Sequence, residues 1–425
     1  MGQKITKKEL ERAELFYKDQ RFDDAVEDWK RALKRVRKPQ DRFQLCGRIC
    51  LALCDVGKYR EALTFAGQQC EIATAIDDAT YKADAFFNIA ISNEKSCEFA
   101  KAISYCKRTL QMHPDKAVLS GKINLCLANA YAGISEFRKA WTNYVRAMDE
   151  AKSTSDRVLE LQTSAKMGTL FCRLGDYESC TAYCNNALEL LGDLMDDDPD
   201  LKYRRQVVVQ IAEAFRKQGR LAEAMDSCED AMKIAMRYSD RPVQARCLYL
   251  FADIHRKRSD AERAYPRYES AYSIMSEIGD RVGQMEVLGG MAKTAVLQRD
   301  YEKASELNNK ALDLSAKVDC KLGMLRCHAR QQLLNERQKH LSSSLDANNE
   351  TYIKKLVQEM ELFCGVCGEV IGQNPERLEP LSCGHFVHAR CAPHLARSTL
   401  GRAGRRRPCP ACRSNSSRNP ALHLT

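Results

Sequence analysis

Small and apolar residues return along this 425-residue chain with a period near 40. The clearest unit runs from Asp240 to Gly279, after which Asp280-Arg281 repeats the opening Asp240-Arg241. Within it Ala252 precedes Ala264 by twelve residues, and Tyr268 and Ala271 follow at plus four and plus seven. Positions three and four apart share one face of a helix. The pattern therefore predicts two antiparallel helices touching through small side chains, with aromatic rings filling the space beside them.

Moved along the chain, the template places its inner small residue at Ala25, Ala62, Ala102, Ala140, Cys180, Ala224, Ala264 and Ala304. Twelve residues upstream stand Ala13, Cys50, Ala90, Ala128, Gly168, Ala212, Ala252 and Ala292, all of them small. This is the tetratricopeptide signature, repeated eight times. Successive gaps of 37, 40, 38, 40, 44, 40 and 40 residues exceed the roughly 34 of the ordinary repeat, which predicts longer helices. Asp156, Asp240 and Asp280 stand where an Asp side chain caps the free N–H groups of a first helix. Residues 6–320 then form one all-α superhelix, an elongated body of stacked helix pairs.

Past Ala304, Leu307, Ala311, Leu314 and Val318 recur at intervals of 4, 3 and 4. That rhythm suits a helix seeking a partner helix, and equally the second helix of an eighth repeat. Residues 321–340 predict a capping helix. The segment 341–363 begins as a polar linker, LSSSLDANNE, and continues as a short amphipathic helix carrying Ile353, Leu356, Met360 and Phe363.

Charge changes the picture only at the C-terminus. No acid follows Glu379, and eight arginines do; removed from the chain's 67 basic residues they leave 59 against 57 acids over residues 1–379. A near-neutral array gives no footing for nucleic acid, so any polyanion contact belongs to the tail. The long basic loop between Cys391 and Cys409, with Gly401, Gly404 and Arg405 to Arg407, reads as solvated, or as touching acidic lipids or an acidic partner. Asp196-Asp197-Asp198-Pro199 reads as an exposed inter-repeat loop, and His113, His255 and His328 as ordinary repeat residues rather than catalysts. No apolar run reaches the roughly 18 residues of a membrane span, and a cytosolic protein is expected. Cys50, Cys106, Cys180, Cys184 and Cys228 occupy packing positions of the repeat and are expected as buried reduced thiols.

The first residues, Met1-Gly2-Gln3-Lys4-Ile5-Thr6, fit the pattern for attaching myristate to Gly2. A single myristoyl chain binds a bilayer weakly, with an association constant of about 10⁴ M⁻¹. Lys4, Lys7 and Lys8 within residues 1–8 would add roughly 1 kcal/mol each at an anionic leaflet, and self-association would multiply anchors.

Soft ligands close the chain: Cys364-x2-Cys367, Cys383-x-His385-x2-His388-x2-Cys391 and Cys409-x2-Cys412, enough for two tetrahedral zinc sites. The order and spacing over residues 364–412 resemble the RING family in its two-histidine form. The resemblance implies cross-bracing, with Cys364, Cys367, His388 and Cys391 on one zinc and Cys383, His385, Cys409 and Cys412 on the other. Both zincs are then structural cofactors that supply folding energy a module this small lacks. In active RING ligases an apolar residue within the first ligand pair, a proline after the seventh ligand and an arginine after the eighth contact the conjugating enzyme or ubiquitin. Here these are Val366, Pro410 and Arg413, followed by a tail over 413–425.

Lipid signal, long-period repeats, short helix and terminal two-histidine module, in that order, resemble the rapsyn family of receptor-associated synaptic scaffolds. The resemblance is carried by SNEKSCEFAKAISYC (Ser92–Cys106), GRLAEAMDSCEDAMKIA (Gly219–Ala235), DRPVQARCLYLFADIH (Asp240–His255) and LFCGVCGEVIG (Leu362–Gly372); the long basic loop before Cys409 departs from it. It implies a peripheral protein on the cytoplasmic face of the postsynaptic membrane that clusters nicotinic acetylcholine receptors through their cytoplasmic region. It also implies self-association, a link to dystroglycan or the cytoskeleton, and ligase activity with an E2 enzyme; a RING-type ligase using the repeats as substrate adaptor is the alternative reading. The segment Ala304–Arg337, with Leu307, Leu314, Val318 and Leu325, is the expected receptor contact. Long-period repeats also resemble cell-polarity scaffolds that bind G-protein-regulator peptides, which lack this N-terminus and the terminal module.

Overall fold

The computed structural model describes residues 2–112, 117–192, 201–338, 343–396 and 409–413. His113, the Asp196–Pro199 segment, Arg405 to Arg407 and the tail from 414 lie outside these. Eight helix pairs run in order: α1 (Gly2–Lys18) with α2 (Phe22–Leu33), and α3 (Pro39–Val56) with α4 (Tyr59–Ile76). Next come α5 (Ala79–Lys95) with α6 (Phe99–Met112), and α7 (Ala117–Gly133) with α8 (Phe137–Thr154). The following pairs are α9 (Arg157–Leu174) with α10 (Tyr177–Gly192), and α11 (Leu201–Gln218) with α12 (Leu221–Arg237). Last are α13 (Arg241–Lys257) with α14 (Ala261–Ile278), and α15 (Arg281–Leu297) with α16 (Tyr301–Lys317).

Every small position of the template is buried. Ala252 and Ala264 are fully covered in one apolar core together with Tyr268 and Ala271. A Cβ added to Gly168 would stand 3.0 Å from Cys184 Sγ and 3.1 Å from the Cys180 carbonyl, so the side chain is omitted where α9 and α10 meet. The caps form as expected: Asp156, Asp240 and Asp280 accept the N–H of Leu159, Val243 and Gly283 at 2.9, 3.1 and 2.8 Å. Asp78, Asp260 and Asp300 cap α5, α14 and α16 in the same way. Cys50, Cys106, Cys180, Cys184 and Cys228 are buried free thiols.

Each pair turns through one residue with left-handed backbone: Gln20, Gly57, Cys97, Ser135, Gly175, Gly219, Ser259 and Arg299. The first five of these turns are covered by a later part of the chain. Arg205 Nη1 donates to Gln20 Oε1 at 2.8 Å, 185 residues away. A Cβ on Gly57 would lie 3.0 Å from Ile278 and 3.2 Å from Pro242. Arg281 Nη1 meets Glu98 Oε1 at 2.7 Å across 183 residues, and the Leu322 N–H donates to Ser135 Oγ at 2.9 Å across 187. The constant spacing shows that successive coils of the superhelix touch along a continuous seam. The concave face is thereby drawn into a lumen, with a cavity of about 590 Å³ among α3, α5, α7, α9 and α11.

After the eighth pair, α17 (Lys321–Gln338) packs on α16, and α18 (Ser343–Glu359) packs on α17. The stretch expected as a polar linker is thus helical from Ser343 onward. His328 on α17 fastens it, with Nδ1 3.0 Å from Asn349 Oδ1 and its ring stacked 5.3 Å from Tyr352. Leu356, Met360 and Leu362 then enter the central core beside Trp141 and Phe171. The terminal module comprises a two-stranded antiparallel hairpin, β1 (Leu378–Pro380) and β2 (Phe386–His388), and a short helix α19 (Ala392–Ala396).

Candidate metal centre and its seat on the array

The hairpin brings the ligands together. Antiparallel pairing of Leu378 with His388 and Pro380 with Phe386 fixes which way His385 and His388 face, and left-handed Gly384 makes the bend between β1 and β2. The ligand atoms of Cys364, Cys367, His388 and Cys391 all lie within 4.8 Å of one another, as do those of Cys383, His385, Cys409 and Cys412. These are the two interleaved groups that the resemblance to the RING family implies.

Nδ1 is the inward nitrogen of both histidines. In His388 it lies 3.4 Å from Cys367 Sγ; in His385 it lies 3.4 Å from Cys383 Sγ and 3.6 Å from Cys409 Sγ. Such edges suit one ion with bonds of about 2.0–2.3 Å. The donor chemistry fits a soft dication as well. Burial, followed by the neighbouring thiols, pushes Cys391 and Cys409 up, because clustered thiolates repel; a bound cation removes that penalty. Burial opposes ionisation of Cys364, but backbone N–H groups of Cys367, His388 and Val366 outweigh it and hold this thiol below its ordinary value. His385 is held below the ordinary imidazole value by burial first and Arg138 second, with Glu361 opposing, which keeps the ring neutral and able to ligate.

The module is seated on the fifth turn of the array. The Leu378 N–H donates to Asp176 Oδ2 at 2.8 Å, while the same carboxylate accepts the Ser179 N–H at 2.9 Å through Oδ1. Phe386 stands edge-on to Trp141 and Phe171, with centroids 5.8 and 6.1 Å apart. A Cβ on Gly372 would lie 3.0 Å from the Leu174 carbonyl, so two backbones meet there. Arg138 Nε donates to the Cys383 carbonyl at 3.0 Å. Sequence reasoning missed Arg138, Asp176 and Glu361, since nothing local marks partners this remote in the chain.

Pro410 and Arg413 are exposed and Val366 is half-buried. A Cβ on Gly365 would meet Pro410 Cβ at 3.0 Å, so Val366 and Pro410 flank one surface. The expected receptor contacts fare differently. Leu307 and Val318 are buried within the array, which removes them as a docking stripe. The 4-3-4 rhythm there is that of a helix packing inside its own repeat. Leu314 and Leu325 are partly buried against the two large cores.

A groove does open one helix further on, about 320 Å³ between α15 and α17. Val296, Ala329 and Leu333 floor it, and Lys293, Arg326, Arg330 and Arg337 line it with no acid among the lining residues. Leu333 is 57% exposed. Arg326, Arg330, Leu333 and Arg337 are themselves spaced 4, 3 and 4, a signal the sequence carried.

At the other end α1 starts at Gly2, and Lys7 and Lys8 are exposed. Among the described residues no helix is long and apolar enough to cross a membrane. Residues 1–80 match a family model described as the rapsyn N-terminal myristoylation and linker region, and residues 203–277 and 251–317 match a tetratricopeptide-repeat model. The 43 kDa receptor-associated protein of the synapse from Tetronarce californica is 35% identical over 418 residues, 98% of this chain and 98% of that protein. The protein of the same name from Gallus gallus is 39% identical over 415 residues, 97% of this chain and 98% of its own. Among solved structures, a Rap protein complexed with Competence and Sporulation Factor is similar in fold at a TM-score of 0.53 and 11% identity, covering 76% of this chain and 99% of that one. With two relatives above 30% identity along nearly their whole length, the chain belongs to the rapsyn family, that of the 43 kDa receptor-associated protein of the synapse.

Proposed function

We propose that this protein is a membrane-attached scaffold that gathers nicotinic acetylcholine receptors on the cytoplasmic face of the postsynaptic membrane. Myristate on Gly2, with Lys7 and Lys8 beside it, holds the first helix at the bilayer. Two zinc ions fill the Cys/His groups and keep the terminal module folded, and self-association and a link to dystroglycan or the cytoskeleton complete the lattice. The relatives' names support the receptor and the synapse.

The observation that carries the reading is the groove between α15 and α17. Exposed Leu333 offers an apolar surface, and the exposed Arg326 and Arg337 beside it, with no acid among the lining residues, are complementary to an amphipathic acidic helix. On this reading the contact falls on Leu333 and the arginines of α17, within the expected segment Ala304–Arg337, rather than on Leu307 and Val318, with Lys293 and Val296 of α15 as the facing wall. In cells expressing receptor and scaffold, Leu333→Asp with Arg337→Glu should abolish co-clustering and leave membrane attachment intact, while Gly2→Ala should release the protein from the membrane. Clusters that survive the groove variant would remove the site.

The ligase reading keeps one observation in its favour: Pro410 and Arg413 are exposed, and Gly365, next to Val366, packs against Pro410. Ubiquitin discharge from a conjugating enzyme, lost in Arg413→Ala, would support it; no discharge from any enzyme tried would leave the module a docking unit.

A further inference from the structure

The two metal groups differ in what stands behind their histidines. Behind His388, Nε2 faces Glu376 Oε2 at 3.9 Å, and Arg390 Nε holds the same carboxylate at 2.7 Å. Every member of that chain belongs to the module. Behind His385, Nε2 faces Glu361 Oε2 at 3.4 Å. Glu361 Oε1 lies 3.5 Å from Arg138 Nη1, and Arg138 Nε donates to the carbonyl of Cys383, itself a ligand. Arg138 sits on α8 between Phe137 and Trp141, which are buried in the array, so its backbone is fixed by the repeats and not by the module. A Cβ on Gly384 would stand 2.9 Å from the Arg138 carbonyl, so hairpin and helix approach backbone to backbone at this point.

We infer that Arg138 and Glu361 are positioning residues for the metal held by Cys383, His385, Cys409 and Cys412, so that seating on the array tightens this site and leaves the Cys364, Cys367, His388 and Cys391 site unaffected. The carboxylate accepts the Nε2–H of His385, which fixes the tautomer with the Nδ1 lone pair inward and makes the ring a better donor; outer partners of this kind are worth about 10- to 100-fold in metal affinity. Arg138 orients that carboxylate and, through the Cys383 carbonyl, the first ligand of the group. By linkage, filling this site tightens the module's hold on the fifth turn by the same factor.

The inference rests on the reading that both groups hold zinc, and the experiment separates the two. Zinc content of the purified full-length chain comes first: fewer than two ions per chain would overturn the zinc reading itself. Stepwise transfer of zinc to a chromogenic chelator then reads each site. In Arg138→Ala and in Glu361→Gln one ion should leave about 10- to 100-fold more readily while the other keeps its wild-type behaviour; in Glu376→Gln the other ion should be the one affected. Cadmium-113 resonances, assigned with His385→Cys, identify which site has moved. Glu361 is half-exposed at the surface of the seat, so Glu361→Gln gives an answer even if Arg138→Ala fails to fold. Release of both ions alike, or of neither, in the Glu361 and Arg138 variants would overturn the inference.

Discussion

The first five intra-repeat turns and the last three are built from the same left-handed bend but live in different surroundings. Gln20, Gly57, Cys97, Ser135 and Gly175 are each pressed by chain that arrives later. Gly219 has nothing within 4 Å of where a Cβ would be, and Ser259 and Arg299 are exposed. Helix starts cover turns one to four; at the fifth, where no further repeat exists, the Cys/His module takes that place. The difference teaches that this module is the last segment of the superhelical seam and not an appendage on a tether. The uncovered half is held by buried charge. Arg216 pairs with Asp253, which also accepts from Tyr268 Oη at 2.8 Å and from Arg256 at 2.7 Å, and Arg246 bridges Glu213 and Glu286.

The largest effect should come from removing metal. Structural zinc contributes on the order of 10–16 kcal/mol per site, so chelation should unfold residues 364–396, open them to protease and change the fluorescence of Trp141 as Phe386 leaves it. The far-UV helical signal should persist; its collapse would mean that the array cannot stand with the fifth turn bare. Next, Asp253→Ala strands the Arg216 guanidinium and should cost about 3–5 kcal/mol, read as a lowered denaturation midpoint.

Acid should separate the two regions. Protonation of thiolates and imidazoles expels metal first, and the module should be lost before the helices. Glu213 follows. Burial opposes its charge, but Arg246, Arg216 and Lys217 outweigh burial and set it at about 2 against an ordinary 4.5. Its contribution is therefore complete above about pH 4.5 and disappears as pH falls toward 2. Loss of helicity ahead of zinc release would break the comparison.

The smallest effects test the turns themselves. Gly57→Ala and Gly219→Ala both place a side chain in left-handed backbone, about 1–2 kcal/mol, but only Gly57→Ala also collides with Pro242 and Ile278, adding about 1–3 kcal/mol. Gly372→Ala against Gly368→Ala makes the same contrast inside the module, since only Gly372 faces the Leu174 carbonyl. Equal costs within either pair would deny the seam an energetic role.

What was legible in the chain follows from range. Ala252 with Ala264, or Asp240 with Val243, are local pairings whose spacing is written in one repeat, and the ligand spacing of the tail belongs to one short module. The seam left no trace because Gln20 and Arg205, or Ser135 and Leu322, meet across whole coils without any shared pattern. Ser343 to Glu350 looked like linker because its polar residues match a loop in composition; helix α18 owes its place to Asn349 and Tyr352 meeting His328. Leu307 and Val318 misled because one helix rhythm serves packing within a repeat as well as packing on a partner.

A spring whose coils already touch behaves differently from an open one. Repeat arrays usually yield link by link under tension, each link carrying its own load; here contacts 183 to 187 residues apart fasten one winding to the next. Pulled between its first helix and its Cys/His module, such a body should hold its length until a winding parts, then give way in large steps.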